Sequence, residues 1–379
     1  MKIALYGVST VGKDTFIESF LKDHIDYKHI KGSKALDEKA NEKYGISFHL
    51  LQNNEKEEIR KEFCKDLKSN NENIIIDGHY LFPESSVSYN IVFTDEDRDL
   101  YDVFFYLKGK PSVIKERIKK SPKNSNLTFL SEEDIEGWQK SEINDMRDIC
   151  FKYHKEFIVL DDNFDESLSF IKKYLENPFY YNSYETAKRY VKEIKNYKKN
   201  EGKIALIDCD RTVSKEDTSI SYFNINNVDT SSLKEIFKGD IYTVYQFYRQ
   251  QQLYKDATLL PDINEYSYNS IVDKKLKSLK QRGYLVAGVT SGIVKIWEAI
   301  NEKKDLFNLV IGNNDNNLGI ITGFVKGYIA EILKNEGFYV VSIGDSMIDI
   351  LMLETSNEGF IYAPGKIREE VQNYIINHK

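Results

Sequence analysis

Short apolar runs alternate with stretches of helical period along most of this chain. Lys2–Tyr6 reads as a short strand, and a helix follows from Lys13 to about Lys22. Asn73–Asp77 contains Ile74-Ile75-Ile76, a run that fits a parallel strand buried on both faces. Helical periodicity fills about 54–68 ahead of it. Asp102–Leu107 is another strand, followed by a helix from Pro111 that includes Arg117. A long helical stretch covers about 131–153, and Glu156–Leu160 is a further strand. Strand–helix alternation of this kind predicts a parallel sheet with helices on both faces.

Asn177-Pro178 breaks the series. The next segment, about 184–199, is rich in Lys, Glu and Tyr, and it ends at Asn200-Glu201-Gly202. Its composition predicts a solvated linker helix within 177–202. A second alternating series starts at Lys203. Ile204–Ile207, Leu285–Val289, Leu309–Ile311 and Tyr339–Ile343 are its candidate strands, with Gly359–Tyr362 as another. No strand of this series falls between Ser214 and about Asp273. That insert, taken as extending over about 214–280, is mostly helical and aromatic, with Tyr and Phe residues concentrated at 242–248. The expected fold class is therefore α/β, with two doubly wound parallel-sheet domains at 1–176 and 203–379.

Composition adds limits. With 379 residues, 41% hydrophobic and 30% charged, each half can bury a core, and the balance is that of a globular protein. A net charge of −7 argues against a broad nucleic-acid surface. Cys64, Cys150 and Cys209 lack metal-ligand spacing, which points to a reduced compartment. The first residues hold no apolar run long enough for a signal peptide. No stretch of about 18 apolar residues occurs either, so the expectation is a cytoplasmic protein without membrane spans.

The strongest chemical signal is Ile204-Ala205-Leu206-Ile207-Asp208-Cys209-Asp210-Arg211-Thr212, an apolar strand ending in Asp-x-Asp-x-Thr. Residues two apart on extended backbone point the same way, so Asp208 and Asp210 converge at the carboxyl end of the strand, where open α/β sheets bind ligands. Carboxylates this close call for a cation, and magnesium suits oxygen ligands. Downstream come Val289-Thr290-Ser291-Gly292, then Lys326 after Gly323, then Gly344-Asp345-Ser346-Met347-Ile348-Asp349. This ordered set resembles the haloacid dehalogenase superfamily, in its phosphoserine-phosphatase-like branch, over about 203–379. The resemblance implies that Asp208 is a nucleophile forming an aspartyl-phosphate. Asp210 would be general acid and then base. Thr290, or Ser291 one residue on, would bind the phosphoryl oxygens. Lys326, with Lys334 as its rival, would offset negative charge. Asp208, Asp345 and the backbone carbonyl of Asp210 would hold magnesium, with Asp349 in support. The insert corresponds in position to the helical cap of that family. Its aromatic residues either line a pocket or pack the cap helices together.

The first half carries Gly7-Val8-Ser9-Thr10-Val11-Gly12-Lys13-Asp14-Thr15 between its first strand and first helix. Glycines here let backbone N–H groups wrap a triphosphate, and Lys13 adds a cation at the β- and γ-phosphates. The segment resembles the P-loop, with one departure: Asp14 stands where a Ser or Thr usually contacts magnesium, and the hydroxyl arrives one residue late, at Thr15. Asp77, ending the strand of Ile74–Ile76, sits where a magnesium-organising acid belongs. Asp77-Gly78-His79 resembles small P-loop kinases of the adenylate-kinase and polynucleotide-kinase groups; His79 is otherwise an ordinary turn residue. Arg117 and Arg147 are alternative cations for a transferring phosphoryl group. Lys31-Gly32-Ser33-Lys34 and Arg60 lie where an acceptor site would form.

Together these resemblances imply a bifunctional enzyme that uses ATP and magnesium, its partner a phosphorylated small molecule or a nucleotide. A polynucleotide 5′-kinase and 3′-phosphatase is the first alternative, less favoured because a large cap hinders a polymer end and no basic aromatic stripe stands out. A phosphatase carrying an ATP-sensing domain is the second.

Overall fold

The computed structural model describes residues 1–85, 88–197, 202–239, 241–313, 318–362, 367, 369, 371 and 372. The chain divides into two compact units, 1–172 and 173–379. No described helix is long and apolar enough to cross a membrane.

In chain order the first unit contains β1 (Lys2–Tyr6), α1 (Lys13–Asp23), β2 (Tyr27–Lys31), α2 (Gly32–Tyr44), α3 (Asn53–Ser69) and β3 (Asn73–Gly78). A hairpin of β4 (Leu81–Pro83) and β5 (Tyr89–Ile91) follows, then α4 (Asp95–Leu100), β6 (Val103–Leu107), α5 (Pro111–Lys120), α6 (Glu132–Lys152) and β7 (Glu156–Leu160). Helix α7 (Phe164–Glu176) crosses the unit boundary. The main sheet is parallel throughout, in the order β2-β3-β1-β6-β7. Its central strands are the continuous apolar runs: Ile3–Tyr6 and Val103–Leu107 are buried along their whole length. Strand β2 was not expected. It is an edge strand, and its sequence, Tyr-Lys-His-Ile-Lys, carries polar residues on its half-exposed surface. Pairing of Tyr6 with Gly78 brings the loop after β1 beside Asp77.

The second unit contains α8 (Pro178–Tyr181), α9 (Ser183–Asn196), β8 (Lys203–Asp208), α10 (Thr218–Ile225), α11 (Leu233–Ile236), α12 (Val244–Tyr254), α13 (Ser270–Gln281), β9 (Leu285–Ile293), α14 (Val294–Lys304), β10 (Leu309–Asn313), α15 (Gly323–Asn335), β11 (Tyr339–Gly344), α16 (Ile350–Thr355) and β12 (Glu358–Ile361). Its parallel sheet runs β10-β9-β8-β11-β12, with β8 at the centre.

Two expectations need correction here. The segment read as a solvated linker is α9, an integral helix of this unit; of its expected end, 198–201 lies outside the described residues. Helix α9 packs on α15 and buries Ala187, Tyr190, Val191 and Ile194, a stripe at helical spacing hidden among the lysines of the same segment. Tyr190 donates its hydroxyl to the carbonyls of Gly312 (2.7 Å) and Gly319 (3.0 Å). Tyr190→Phe removes the one proton that these two buried carbonyls share, so chemical denaturation should show a loss of about 1–3 kcal/mol. The insert, in turn, ends near Asn269 rather than at 280. Helix α13 packs on β9, and its Val272, Leu276 and Leu279 share a core with Ala205 and Val286 of the sheet.

What remains of the insert, α10 to α12 with its connecting loops, is stapled at its base. Asn269 donates its side-chain amide to the carbonyls of Thr212 (2.6 Å) and Ser214 (3.1 Å). Among the 242–248 residues, Val244, Tyr245 and Phe247 are buried, and Phe237 meets Tyr242 and Phe247 edge-on at 5.1 and 5.5 Å. Phe237, Tyr242 and Phe247 thus pack within the insert, whereas Tyr248 meets Tyr181 of α8 edge-on at 6.0 Å.

Candidate active sites

In the second unit, Asp208 ends the central strand and is buried. Its Oδ1 accepts from Lys326 Nζ (2.7 Å) and its Oδ2 from the hydroxyl of Thr212 (2.8 Å). Lys326 lies in the first turns of α15 and is 1% exposed; it also donates to Asp349 Oδ1 at 2.8 Å. Asp349 is wholly buried, and its Oδ2 accepts from the backbone N–H groups of Asp345 and Ser346 (both 3.1 Å) and from the Ser346 hydroxyl (2.9 Å). Gly344 is required for this approach, since a Cβ there would lie 2.4 Å from the Cβ of Asp349. Carboxylate oxygens of Asp208, Asp345 and Asp349 lie within 4.8 Å of one another. Burial, followed by the charge of Asp349, pushes the Asp208 carboxyl well above the usual carboxylate range. Burial opposes the charge on Lys326, but Asp208 and Asp349 outweigh it and hold the ammonium above its ordinary range. Three acids converging on one point around one ammonium form a site with a deficit of positive charge, and the all-oxygen donor set fits a hard divalent cation.

Asp210 points elsewhere. Its side chain, expected to converge with that of Asp208, is not part of that carboxylate cluster. Oδ1 accepts from the backbone N–H (2.8 Å) and hydroxyl (2.6 Å) of Thr218, the first residue of α10. Oδ2 accepts from the Thr290 hydroxyl (3.3 Å) and the Trp297 indole N–H (3.1 Å). Burial first, and then the charge of Asp217, raises its pKa against the pull of these hydrogen bonds. Arg211, between the motif residues Asp210 and Thr212, adopts a left-handed φ of 60° and pairs with Asp217 at 3.4 Å. Strand β9 runs on to Ile293, so Thr290 and Ser291 both sit in its last turns of pleat. The Thr290 hydroxyl also accepts from Gly292 N–H at 2.9 Å. The Ser291 hydroxyl is buried and hydrogen-bonds to no described residue. Lys334, the rival of Lys326, is on the surface, where it donates to the carbonyl of Thr355.

In the first unit, the loop 7–12 leaves β1 with Gly7 at φ 149°, Thr10 at φ 62° and Gly12 at φ 121°. A Cβ on Gly7 would lie 2.7 Å from the carbonyl oxygen of Leu107, so the loop passes too close to β6 for any other residue. Lys13 is buried, donates to the carbonyls of Gly7 and Val8, and lies 3.3 Å from His79 Nε2. Burial lowers its pKa to about 8 against the opposing charges of Glu142, Asp77 and Asp14. Asp77 takes His29 Nε2 at 3.0 Å. Arg117 donates to the loop carbonyls of Thr10 (3.1 Å) and Val11 (2.7 Å), whereas Arg147 is buried on α6 and pairs with Asp148. Asp14 and Thr15 are both exposed, and Asp14 pairs with Lys31 at 3.5 Å. Lys34 pairs with Glu38, and Arg60 lies over the Phe48 ring at 5.0 Å, so this polar group is spread over separate contacts.

Several residues at these sites carried no individual signal in the sequence. The Thr of Asp-x-Asp-x-Thr was visible, but not that its hydroxyl would meet Asp208. Trp297 and Thr218 reach Asp210 across 87 and 8 residues. Glu142, buried in the first unit, takes the backbone N–H groups of Tyr80 and Leu81 and the hydroxyl of Tyr106 (2.7 Å). His29 lies on the unforeseen edge strand.

Residues 6–136 match the family model of an AAA domain. No curated protein matches the chain. Solved structures similar to it include a phosphoserine phosphatase with a phospho-aspartyl intermediate analogue, 22% identical, covering 41% of this chain and 83% of that one at a TM-score of 0.30. A phosphoserine phosphohydrolase-like protein from Francisella tularensis subsp. tularensis SCHU S4 is 17% identical, with coverages of 45% and 92% and a TM-score of 0.33. Shikimate kinase from Bacteroides thetaiotaomicron is 14% identical, with coverages of 46% and 98% and a TM-score of 0.33.

Proposed function

We propose that this chain is a bifunctional enzyme, its second unit a magnesium-dependent phosphomonoesterase and its first an ATP-dependent phosphotransferase, acting on small metabolites or nucleotides. The observation that carries this reading is the cluster of the buried Asp208, Asp349 and Lys326 with the half-buried Asp345, and Asp210 held apart from it. In the reaction, a carboxylate oxygen of Asp208 attacks phosphorus and the bond to the leaving oxygen breaks. Asp210 gives that oxygen its proton. In the second half, Asp210 takes a proton from water, which attacks the aspartyl-phosphate and frees phosphate. Lys326 offsets charge on the nucleophile and the phosphoryl group throughout. Ser291 is the hydroxyl free to meet a phosphoryl oxygen, since that of Thr290 is engaged with Asp210. Asp208, Asp345 and the Asp210 carbonyl, with Asp349 in support, would hold magnesium, which would supply further positive charge to the phosphoryl oxygens.

In the first unit, Lys13 would exchange its loop carbonyls for the β- and γ-phosphates of ATP, and Asp77 would organise magnesium. Asp14, which stands where a Ser or Thr usually contacts magnesium and pairs with Lys31, supports a second reading, in which ATP is bound without turnover. Incubation with magnesium, γ-labelled ATP, a panel of nucleosides and sugars, and a 5′-hydroxyl oligonucleotide decides between them. Label on a small acceptor, lost in Lys13→Ala, supports the kinase; label on the oligonucleotide alone moves the reading to end healing; bound ATP with no labelled product supports sensing. Parallel phosphate release from phosphomonoesters tests the second unit.

The Lys13 pKa makes a further prediction. A folded value near 8, below the usual lysine value, means that the free protein sheds this proton as pH rises past 8. Phosphates need the ammonium, so binding must then recover the proton, and affinity drops by up to about tenfold per pH unit. Calorimetric titration with metal-free ATP at pH 7 to 9.5 should show this decline in the wild type. Lys13→Ala should bind weakly at every pH, and a flat wild-type profile would remove Lys13 from the phosphates.

A further inference from the structure

The environment of Asp210 has a property that the reaction scheme above does not use. Its four hydrogen-bond partners fall into two kinds. The Thr218 backbone N–H on Oδ1 and the Trp297 indole N–H on Oδ2 can only donate. The hydroxyls of Thr218 on Oδ1 and Thr290 on Oδ2 can turn and either donate or accept. Each carboxyl oxygen thus has one fixed donor and one adaptable partner. The fixed donors define the plane of the group, and the hydroxyls adjust as a proton comes and goes. One fixed donor is backbone at the start of α10. The other is the sole polar atom of a fully buried side chain on α14, braced edge-on against Phe307 with ring centroids 6.3 Å apart. Without the indole, Oδ2 keeps only the longer contact to Thr290, and the carboxyl is free to swing about its Oδ1 anchor.

We infer that Trp297 is a positioning residue for the phosphatase reaction: its indole N–H holds Oδ2 of Asp210 so that this carboxyl faces the leaving-group oxygen. The inference rests on the phosphatase reading and extends it to a residue outside the four sequence motifs. Trp297 acts through Asp210 and does not itself touch the substrate. Its consequence is selective. An aryl phosphate with a well-stabilised leaving group departs with little help from an acid, whereas an alkyl phosphate needs the proton in place.

The test compares wild type with Trp297→Phe, which keeps an aromatic ring and removes the donor. kcat/KM, which reports the chemistry up to departure of the leaving group, is measured with magnesium on 4-nitrophenyl, phenyl and simple alkyl phosphates. The expected result is a loss of about tenfold or more on alkyl phosphate and under about threefold on 4-nitrophenyl phosphate, a steeper dependence on the leaving group. Equal losses on all three substrates would mean that Trp297 only supports the fold, and the inference falls. Absence of hydrolysis of any phosphomonoester by the wild type overturns the phosphatase reading, and this inference with it. Should Trp297→Phe not fold, the full-length Asp210→Ala variant decides by nuclear magnetic resonance. The chain has two tryptophans, and Trp138 donates to the Leu81 carbonyl in the first unit. Asp210→Ala should shift one indole N–H resonance and speed its solvent exchange while the other stays in place. If both indole signals stay in place, Trp297 does not hold Asp210.

Discussion

Asp208→Asn should lower phosphomonoester turnover by about ten-thousand-fold or more while leaving ATP binding by the first unit unchanged. The amide keeps the shape of the carboxyl and an oxygen for Lys326, so the fold has no reason to fail. What is lost is the proposed nucleophile, and removal of one member of a set that acts together costs this much because the others cannot act without it. The same change has a thermodynamic signature. Asp208 sits in a cluster whose burial and neighbouring Asp349 disfavour its charge. A folded pKa above the unfolded one means that the ionised form costs stability at neutral pH, a cost that fades as pH falls toward the ordinary carboxylate range. Asp208→Asn should therefore melt a few degrees higher than the wild type in a chelator at pH 7, by about 2–4 °C for each kcal/mol relieved, with a smaller gain at pH 4. The rise in melting temperature on adding magnesium should shrink in the variant. Loss of ATP binding along with turnover would sink the separation of the two sites.

Lys326→Met is expected to be more damaging to the fold. Its ammonium is the positive partner of two buried carboxylates, at 2.7 and 2.8 Å. Removing one partner of a buried ion pair leaves uncompensated charge and costs about 3–5 kcal/mol. Denaturant unfolding in chelator should register that loss, and turnover should drop about a thousandfold with the charge that offsets the phosphoryl group. The sign with pH is opposite to that of Asp208. Because the folded pKa of Lys326 is raised, its stabilisation is fully present below the ordinary lysine pKa and disappears only above it. The deficit of Lys326→Met should therefore be undiminished between pH 7 and 9. Added magnesium should restore part of the stability and little of the activity. A variant as stable as the wild type in chelator would show that the Lys326 ammonium does not compensate the two carboxylates.

Much of this was legible from the chain alone, and the reason is burial. Strands covered on both faces, such as Ile74–Ile76 and Val103–Leu107, must be apolar at every position, so they stand out from any background. Elements with one wet face do not. The edge strand Tyr27–Lys31 reads as loop, the hairpin Leu81–Pro83 with Tyr89–Ile91 is too short to show a period, and the lysines of α9 mask the stripe of Ala187, Tyr190, Val191 and Ile194.

The candidate site divides along the same line. Asp208, Asp345 and Asp349 are legible because apolar strands end at Asp208 and at Gly344, just before Asp345; the spacing of two that predicts Asp210 to point with Asp208 fails because the strand stops at Asp208. The contact of Lys326 rather than Lys334 with Asp208, the separation of the Asp210 side chain from the carboxylate cluster, and the grip of Trp297 on Asp210 are decided by tertiary structure alone. Each depends on which helix faces lie against the sheet. That is a property of the packed core as a whole, summed over many weak apolar contacts, and no local pattern of residues encodes it.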